Sequence, residues 1–267
     1  MNKLSTIIGA TALLASGSAS AIVVDGVDFG AAGQLGHLET TTLASTFING
    51  AFNGDGSAQQ LFGYGQVNTV NGNSNYASGN RLYFTFQYDV TSFSNTAVGF
   101  SNGQANFYLG SLSNLLNSDS ATNVSNIQGL SSWANFAGVA DASGNDLNAS
   151  GTFAGASLSF ASTGLLEVVG GSAAVVNFLD SNGIATGTGG FADAAIATSG
   201  NNFLLNVNDD TTGCTTGQAT VGQWCLAGSA DIRGLTSVSV PEPSSVALLG
   251  MGLIGFGASS LRKKKSA

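Results

Sequence analysis

The sharpest alternation in the chain is RLYFTFQYDV, Arg81 to Val90, where Leu82, Phe84, Phe86, Tyr88 and Val90 interleave with Tyr83, Thr85, Gln87 and Asp89. Strand side chains point alternately to two faces, so a period of two predicts a half-buried strand; a helix would scatter these aromatics around its circumference. Related patterns predict strands at Gln60–Thr69, Gln104–Leu109, Gly151–Phe160, Leu165–Val169, Phe191–Ala197, Phe203–Val207 and Ser229–Val238. Between them stand Asn53-Gly54, Asp55-Gly56, Asn71-Gly72, Asn102-Gly103, Ser143-Gly144 and Asn182-Gly183. Such dipeptides accept left-handed backbone and favour tight reversals. Leu112–Asn117 reads as a short helix, and Ala173–Asp180 as a short helix or the lead-in to a strand. Strands at this spacing, with no internal repeat and no Pro-rich linker before Val240, predict one all-β domain: an antiparallel β-sandwich of jelly-roll type.

Two apolar stretches depart from this alternation, one at each end. Residues 1–21 read MNKLSTIIGATALLASGSASA: Lys3 gives a positive start, Ile7–Ala15 a short apolar run, and Ala19-Ser20-Ala21 the small-x-small pattern that signal peptidase accepts. A cleaved secretory signal is expected there, with Ile22 as the first mature residue and residues 22–239 as the exported body. At the other end Ser244–Leu261 is uncharged and mostly apolar, bounded by Pro243 and Arg262. As a helix it would be about 27 Å long, close to a hydrocarbon core of about 30 Å, and one transmembrane helix is expected. Arg262, Lys263, Lys264 and Lys265 then satisfy the positive-inside rule if the body is exported. Gly250, Gly252 and Gly255 spell G-x-G-x-x-G, but no strand-to-helix turn surrounds them, so nucleotide binding is not inferred.

The chain's only prolines, Pro241 and Pro243, sit just before this segment. They hold extended backbone there, because each fixes its own φ and disfavours helix in the residue before it. Val240-Pro241-Glu242-Pro243, an apolar helix and a terminal Arg-Lys-Lys-Lys resemble, in that order, the PEP-CTERM sorting signal of exported bacterial proteins. The resemblance covers residues 240–267 only. It implies recognition by an exosortase, a membrane-embedded transpeptidase-like enzyme, with transient residence in the inner membrane and removal of the tail near the Pro-Glu-Pro motif. It further implies a Gram-negative envelope, a final location at the cell surface or in the extracellular matrix, and association with exopolysaccharide, biofilm or floc. The body resembles no family on its own residues.

Charge narrows the function. Between Ile22 and Val240 the basic residues are Arg81 and Arg233 alone, against 14 acidic ones, a formal charge of −12. A nucleic-acid partner needs a basic stripe to neutralise phosphates, so that class is excluded. Abundant Gly, Asn, Ser and Thr give an uncharged hydrogen-bonding surface, while a 43% hydrophobic content argues for a folded body. Cys214 and Cys225 are the only cysteines, and in an exported chain they read as one disulfide closing a small loop.

Catalytic chemistry is poorly supplied. His37 is the only histidine, so a Ser-His-Asp triad would have to use it, and multi-histidine metal sites are excluded by count. Glu39 lies two residues on, on the same face of a strand, yet a lone surface histidine is the plainer reading. Paired carboxylates can hydrolyse glycosides without histidine, but Asp25, Asp28, Asp89, Glu167, Asp180, Asp193, Asp209 and Asp210 form no recognisable pair. Asn53–Ser57 and Asn206–Thr212 are oxygen-rich loops better explained as turns than as calcium sites. Sugar contact would need exposed aromatic faces: Trp133 is the candidate, with Tyr64, Tyr76 and Tyr83 also considered, and Trp224 assigned to packing on the disulfide. The expectation is therefore a non-enzymatic surface or matrix protein without metal or cofactor. A carbohydrate-binding module is the alternative, and a polysaccharide hydrolase a weaker one.

Overall fold

The computed structural model describes residues 21–31, 35–48, 59–113, 119–153, 158–201, 224 and 226–234. Thirteen strands and two helices are defined among them. The strands are β1 (Ala21–Val24), β2 (Val27–Ala31), β3 (Gly36–Ile48), β4 (Gln60–Val70), β5 (Arg81–Phe93), β6 (Ala97–Gly110), β7 (Ser131–Val139), β8 (Leu147–Thr152), β9 (Ser159–Gly171), β10 (Ile184–Ala185), β11 (Phe191–Ala192), β12 (Ala194–Asn201) and β13 (Leu226–Gly234). The helices are α1 (Ser120–Gln128) and α2 (Ala173–Leu179).

The expected all-β, antiparallel character holds, but the sandwich gives way to a barrel. In the order β12-β13-β3-β4-β5-β6-β7-β9 each strand pairs with the next, and β12 also pairs with β9, from Ala194↔Leu166 to Asn201↔Ser159. That last ladder closes eight staves into a ring and removes the sheet edges that would otherwise stand unpaired. β7 and β8 share one stave. Val139 pairs with Leu165 and Leu147 with Gly164, adjacent positions on β9, so residues 140–146 form an excursion out of an otherwise continuous strand.

Phe84, Phe86 and Tyr88 of β5, Phe100 and Phe107 of β6 and Phe160 of β9 point inward, around a cavity of ≈ 80 Å³. Successive rings touch: the Phe84 and Phe107 centroids are 5.5 Å apart, and those of Phe107 and Phe136 are also 5.5 Å apart. Glycines on neighbouring staves make room for them. A Cβ on Gly63 would lie 2.4 Å from the Phe86 ring, on Gly65 2.5 Å from the Phe84 ring, on Gly103 2.2 Å from the Tyr88 ring and on Gly200 2.6 Å from the Phe160 ring. Large residues over small ones fill a narrow barrel, and this gives much of the chain's glycine a packing role.

The outer face of β5 is covered as well. Tyr83 is buried with Ala44, Tyr64, Val124 and Ile127 beneath α1. The Asp119 side chain caps this helix, accepting from the Thr122 N–H at 3.0 Å and the Thr122 hydroxyl at 2.9 Å. Its buried stripe is Ser120, Asn123, Val124 and Ile127, half of it polar, and both polar members bond the Tyr64 hydroxyl at 3.0 Å. A hydrophobic-period search has little to find in such a helix. The expected helix at Leu112–Asn117 falls largely outside the described residues.

At one end of the barrel, Asp25 (φ 46) and Gly26 (φ 82) turn the β1–β2 hairpin, and Phe29 of β2 packs on Phe178 of α2 at 4.7 Å and on Trp133 at 6.2 Å. The Ser172 side chain caps α2, and Leu179 at the far end of that helix joins Leu38, Phe136 and Ile232 around a small void. The Asn71-Gly72 reversal is present, with φ of 51 and 77. Asn102-Gly103 is different: Asn102 has φ 50, yet it lies inside β6, where the pairing to β5 shifts register. It makes a bulge and not a reversal.

No helix among the described residues is long and apolar enough to cross a membrane. The expected membrane segment, Ser244–Leu261, lies outside the described residues, as do the sorting motif Val240–Pro243, the basic tail Arg262–Lys265, Ala19, Cys214 and Cys225, and the loops at Asn53–Ser57 and Asn206–Thr212. Ala21 is the first residue of β1.

Candidate functional site

The outward side chains of β9, β12, β13 and β3 form a polar strip. On β12 they are small, Ala195, Ala197 and Ser199, so the surface dips between taller neighbours. The resulting open depression, ≈ 580 Å³, is bordered by Asp141, Asn145 and Asn148 beside β7–β8, by Thr163 and Leu165 on β9, and by Asp231 and Arg233 on β13. Toward β3 it continues past Glu39, Thr41 and Asn68.

The excursion at 140–146 is held by its own side chains. Asp141 accepts from the Ser143 N–H at 2.8 Å, the Ser143 hydroxyl at 2.5 Å, the Asn145 N–H at 3.2 Å and the Asn148 amide at 2.7 Å. These bonds, the Ser143 hydroxyl first among them, hold the Asp141 carboxyl down at about 2. Asp146 reaches back under the loop, and its carboxylate accepts the N–H of Gly103 at 2.8 Å. That donor is at the β6 bulge, so bulge and excursion complete each other. Tyr88 lies close by; burial foremost, and then the Asp146 charge, raises its hydroxyl pKa.

Where β3 and β13 meet, His37 Nε2 is 3.0 Å from Asp231 Oδ1. Arg233 contacts the other Asp231 oxygen at 3.4 Å, and the Thr69 hydroxyl donates to Glu39 at 2.6 Å. Asp231 is the register partner of Glu39, and Arg233 of His37. The sequence put His37 and Glu39 on one face of a strand; only the topology brings Asp231, 194 residues along from His37, to the same spot.

Three of the carboxylates considered from sequence converge elsewhere: Glu167, Asp180 and Asp193. Asp193 is 1% exposed, and its oxygens accept the N–H groups of Val168 (2.8 Å), Ser181 (2.6 Å) and Asn182 (2.7 Å). Those bonds tie the segment after α2 to β9 and leave Asp193 little freedom for chemistry. Glu167 has its pKa raised by desolvation first, then by the charges of Asp193 and Asp180. Asp89 is bonded to Gln60 and Asn102, and Asp28 accepts the Gly30 N–H.

Trp133 is corrected from glycan contact to core. It is 1% exposed, stacked on Phe29, and has no open face for a sugar ring. Tyr64, Tyr76 and Tyr83 are buried too. Burial lifts the Tyr76 hydroxyl to about 12. Trp224 packs edge-on against Phe62 and Tyr64, at 5.9 and 5.6 Å.

Sorting is decided at the C-terminus. Residues 239–263 match the family model of the PEP-CTERM protein-sorting motif. The chain carries a PEP-CTERM signal. This is the signature of an exported protein recognised by an exosortase and sorted to the cell surface or beyond. The match takes in Val240, Pro241, Glu242 and Pro243 together with Arg262 and Lys263; Lys264 and Lys265 follow directly. No curated protein and no solved structure matches the chain.

Proposed function

We propose that this PEP-CTERM protein is a non-enzymatic component of the cell surface or extracellular matrix, structural in exopolysaccharide, biofilm or floc, and placed there after exosortase processing near Pro243. The observation that carries the reading is the motif at residues 239–263. The body is compatible with the role: its exterior offers amides, hydroxyls and carboxylates that can hydrogen-bond hydrated glycan. Asp193, the most deeply buried of the three converging carboxylates, serves the fold, which weighs against the hydrolase alternative.

A carbohydrate-binding role is the second reading, favoured by the outer depression. Its border of amides, carboxylates and hydroxyls at Asp141, Asn145, Asn148 and Thr163 matches the hydrogen-bonding character of sugar hydroxyls. Mass spectrometry of both protein ends in matrix and envelope fractions of the host, with and without Glu242→Ala, tests the main proposal. A C-terminus near Pro243 in the matrix, lost in the variant, supports it. An intact Arg262–Lys265 tail confined to the inner membrane in the unaltered protein would sink it. Saturable binding of a defined glycan, abolished by Asn148→Ala, would move the assignment to the second reading.

A further inference from the structure

We propose that His37, Glu39 and Asp231 form a solvent-facing site for a divalent transition metal of the zinc type. His37 and Glu39 alternate with inward residues on β3, so both point out of the barrel, and Asp231 stands beside them on β13. One ligand atom from each side chain lies within 4.8 Å of the other two. Ligands of a single zinc ion, each about 2.0–2.2 Å from the metal, stand about 3–3.5 Å apart. The 3.0 Å between His37 Nε2 and Asp231 Oδ1 is already in that range, and Glu39, with the longer side chain, needs only a small swing.

The donor set fits the ion class. An imidazole favours zinc-like metals over calcium or magnesium, which prefer all-oxygen shells, and two carboxylates neutralise a dication. Neighbours leave the ligating atoms available while fixing the side chains. Thr69 bonds Glu39 through Oε2, leaving Oε1, and Arg233 contacts Asp231 through Oδ2, while Oδ1 is hydrogen-bonded to His37 Nε2, so a metal ion would take the place of the proton those two atoms share. Orienting bonds of this kind are usual behind metal ligands. The backbone of His37 is pinned as well, since its N–H donates to the Asn71 side chain at 2.8 Å and its carbonyl accepts the Asn71 N–H at 2.8 Å. Three protein ligands leave at least one coordination position open to solvent. The cluster at Glu167, Asp180 and Asp193 differs: it has no nitrogen ligand, and both Asp193 oxygens are taken by main-chain N–H groups.

The test is titration of the full-length protein with Zn²⁺ alone by calorimetry, repeated with Co²⁺ to read its visible absorption. One saturable equivalent is expected, weakened at least tenfold by His37→Gln and by Asp231→Asn, and unchanged by Glu167→Gln. Circular dichroism melts of each variant establish that the fold is retained, and Co²⁺ absorption that vanishes with His37→Gln identifies the imidazole as a ligand directly. Absence of saturable Zn²⁺ binding, or binding and Co²⁺ absorption that survive His37→Gln, would overturn the proposal. Either result leaves the sorting experiment above unaffected.

Discussion

Replacing Gly65 by alanine would place a methyl carbon 2.1 Å from the Thr41 carbonyl oxygen and 2.5 Å from Cζ of Phe84. The ring can move at moderate cost. The carbonyl cannot, because Thr41 and Thr42 are paired with Gln66 and Gly65 in the β3–β4 ladder, and retreat would pull these neighbouring staves away from each other. Overpacking a tight site costs about 1–3 kcal/mol, and an unyielding backbone contact places Gly65→Ala at the upper end. Against this stands a gain of about 0.4–1 kcal/mol from restricting the unfolded chain. The net expectation is a loss of about 2–3 kcal/mol, or roughly 5–10 °C in Tm for a domain of this size. Urea denaturation followed by circular dichroism should show a lower midpoint with an unchanged slope. Gly187→Ala is the control, since a Cβ there meets nothing within 4 Å, and it should leave stability within about 0.5 kcal/mol. If Gly65→Ala proved as stable as Gly187→Ala, the ring-over-glycine account of the barrel interior would be wrong.

Two further expectations come from the carboxylate cluster. In Asp193→Asn, the amide nitrogen must face at least one of the N–H groups now accepted by Asp193. The lost charge-assisted bond and the stranded donor together should cost about 3 kcal/mol, and a urea midpoint equal to wild type would refute the anchoring role. Glu167 has a raised pKa in the folded protein, so the folded state holds its proton more tightly than the unfolded chain does. Its stabilising contribution is then complete below the unfolded value of about 4.3 and is lost as pH rises through the folded value. Glu167→Gln removes that loss, so the variant should gain on wild type as pH rises from about 4 to 7. Denaturation series in which the gap stayed constant, or ran the other way, would contradict the cause assigned.

The sorting signal was legible at the C-terminal end because such signals are read as linear sequence: a Pro-Glu-Pro motif, an apolar run, a cluster of positive charge. Some strand positions were legible for the same local reason, though β3 and β7 were not read, and the strand expected at Gly151–Phe160 spans the end of β8 and the start of β9. The alternation at Arg81–Val90 reports two faces of one strand, and β5 is found there. Turn dipeptides were less decisive: Asn71-Gly72 reverses the chain, while Asn102-Gly103, of the same composition, only bulges a strand. Left-handed backbone serves both, and the partner strands decide which.

Closure was beyond any local pattern. A strand in a sandwich and a strand in a barrel show the same alternation, and the difference lies in whether β12 finds β9 as well as β13. Trp133 illustrates the same limit, since it stacks on Phe29, which is far from it along the chain and is itself packed on Phe178. So does α1, whose half-polar buried face is satisfied by a tyrosine hydroxyl on β4. The sorting signal and the strongly alternating strands such as β5 depend on neighbours along the chain, so the linear order of residues was enough to read them. That the sheet closes, that Trp133 is core, and that His37 and Glu39 meet Asp231 emerged only in the folded barrel, because each requires contacts between residues far apart in sequence.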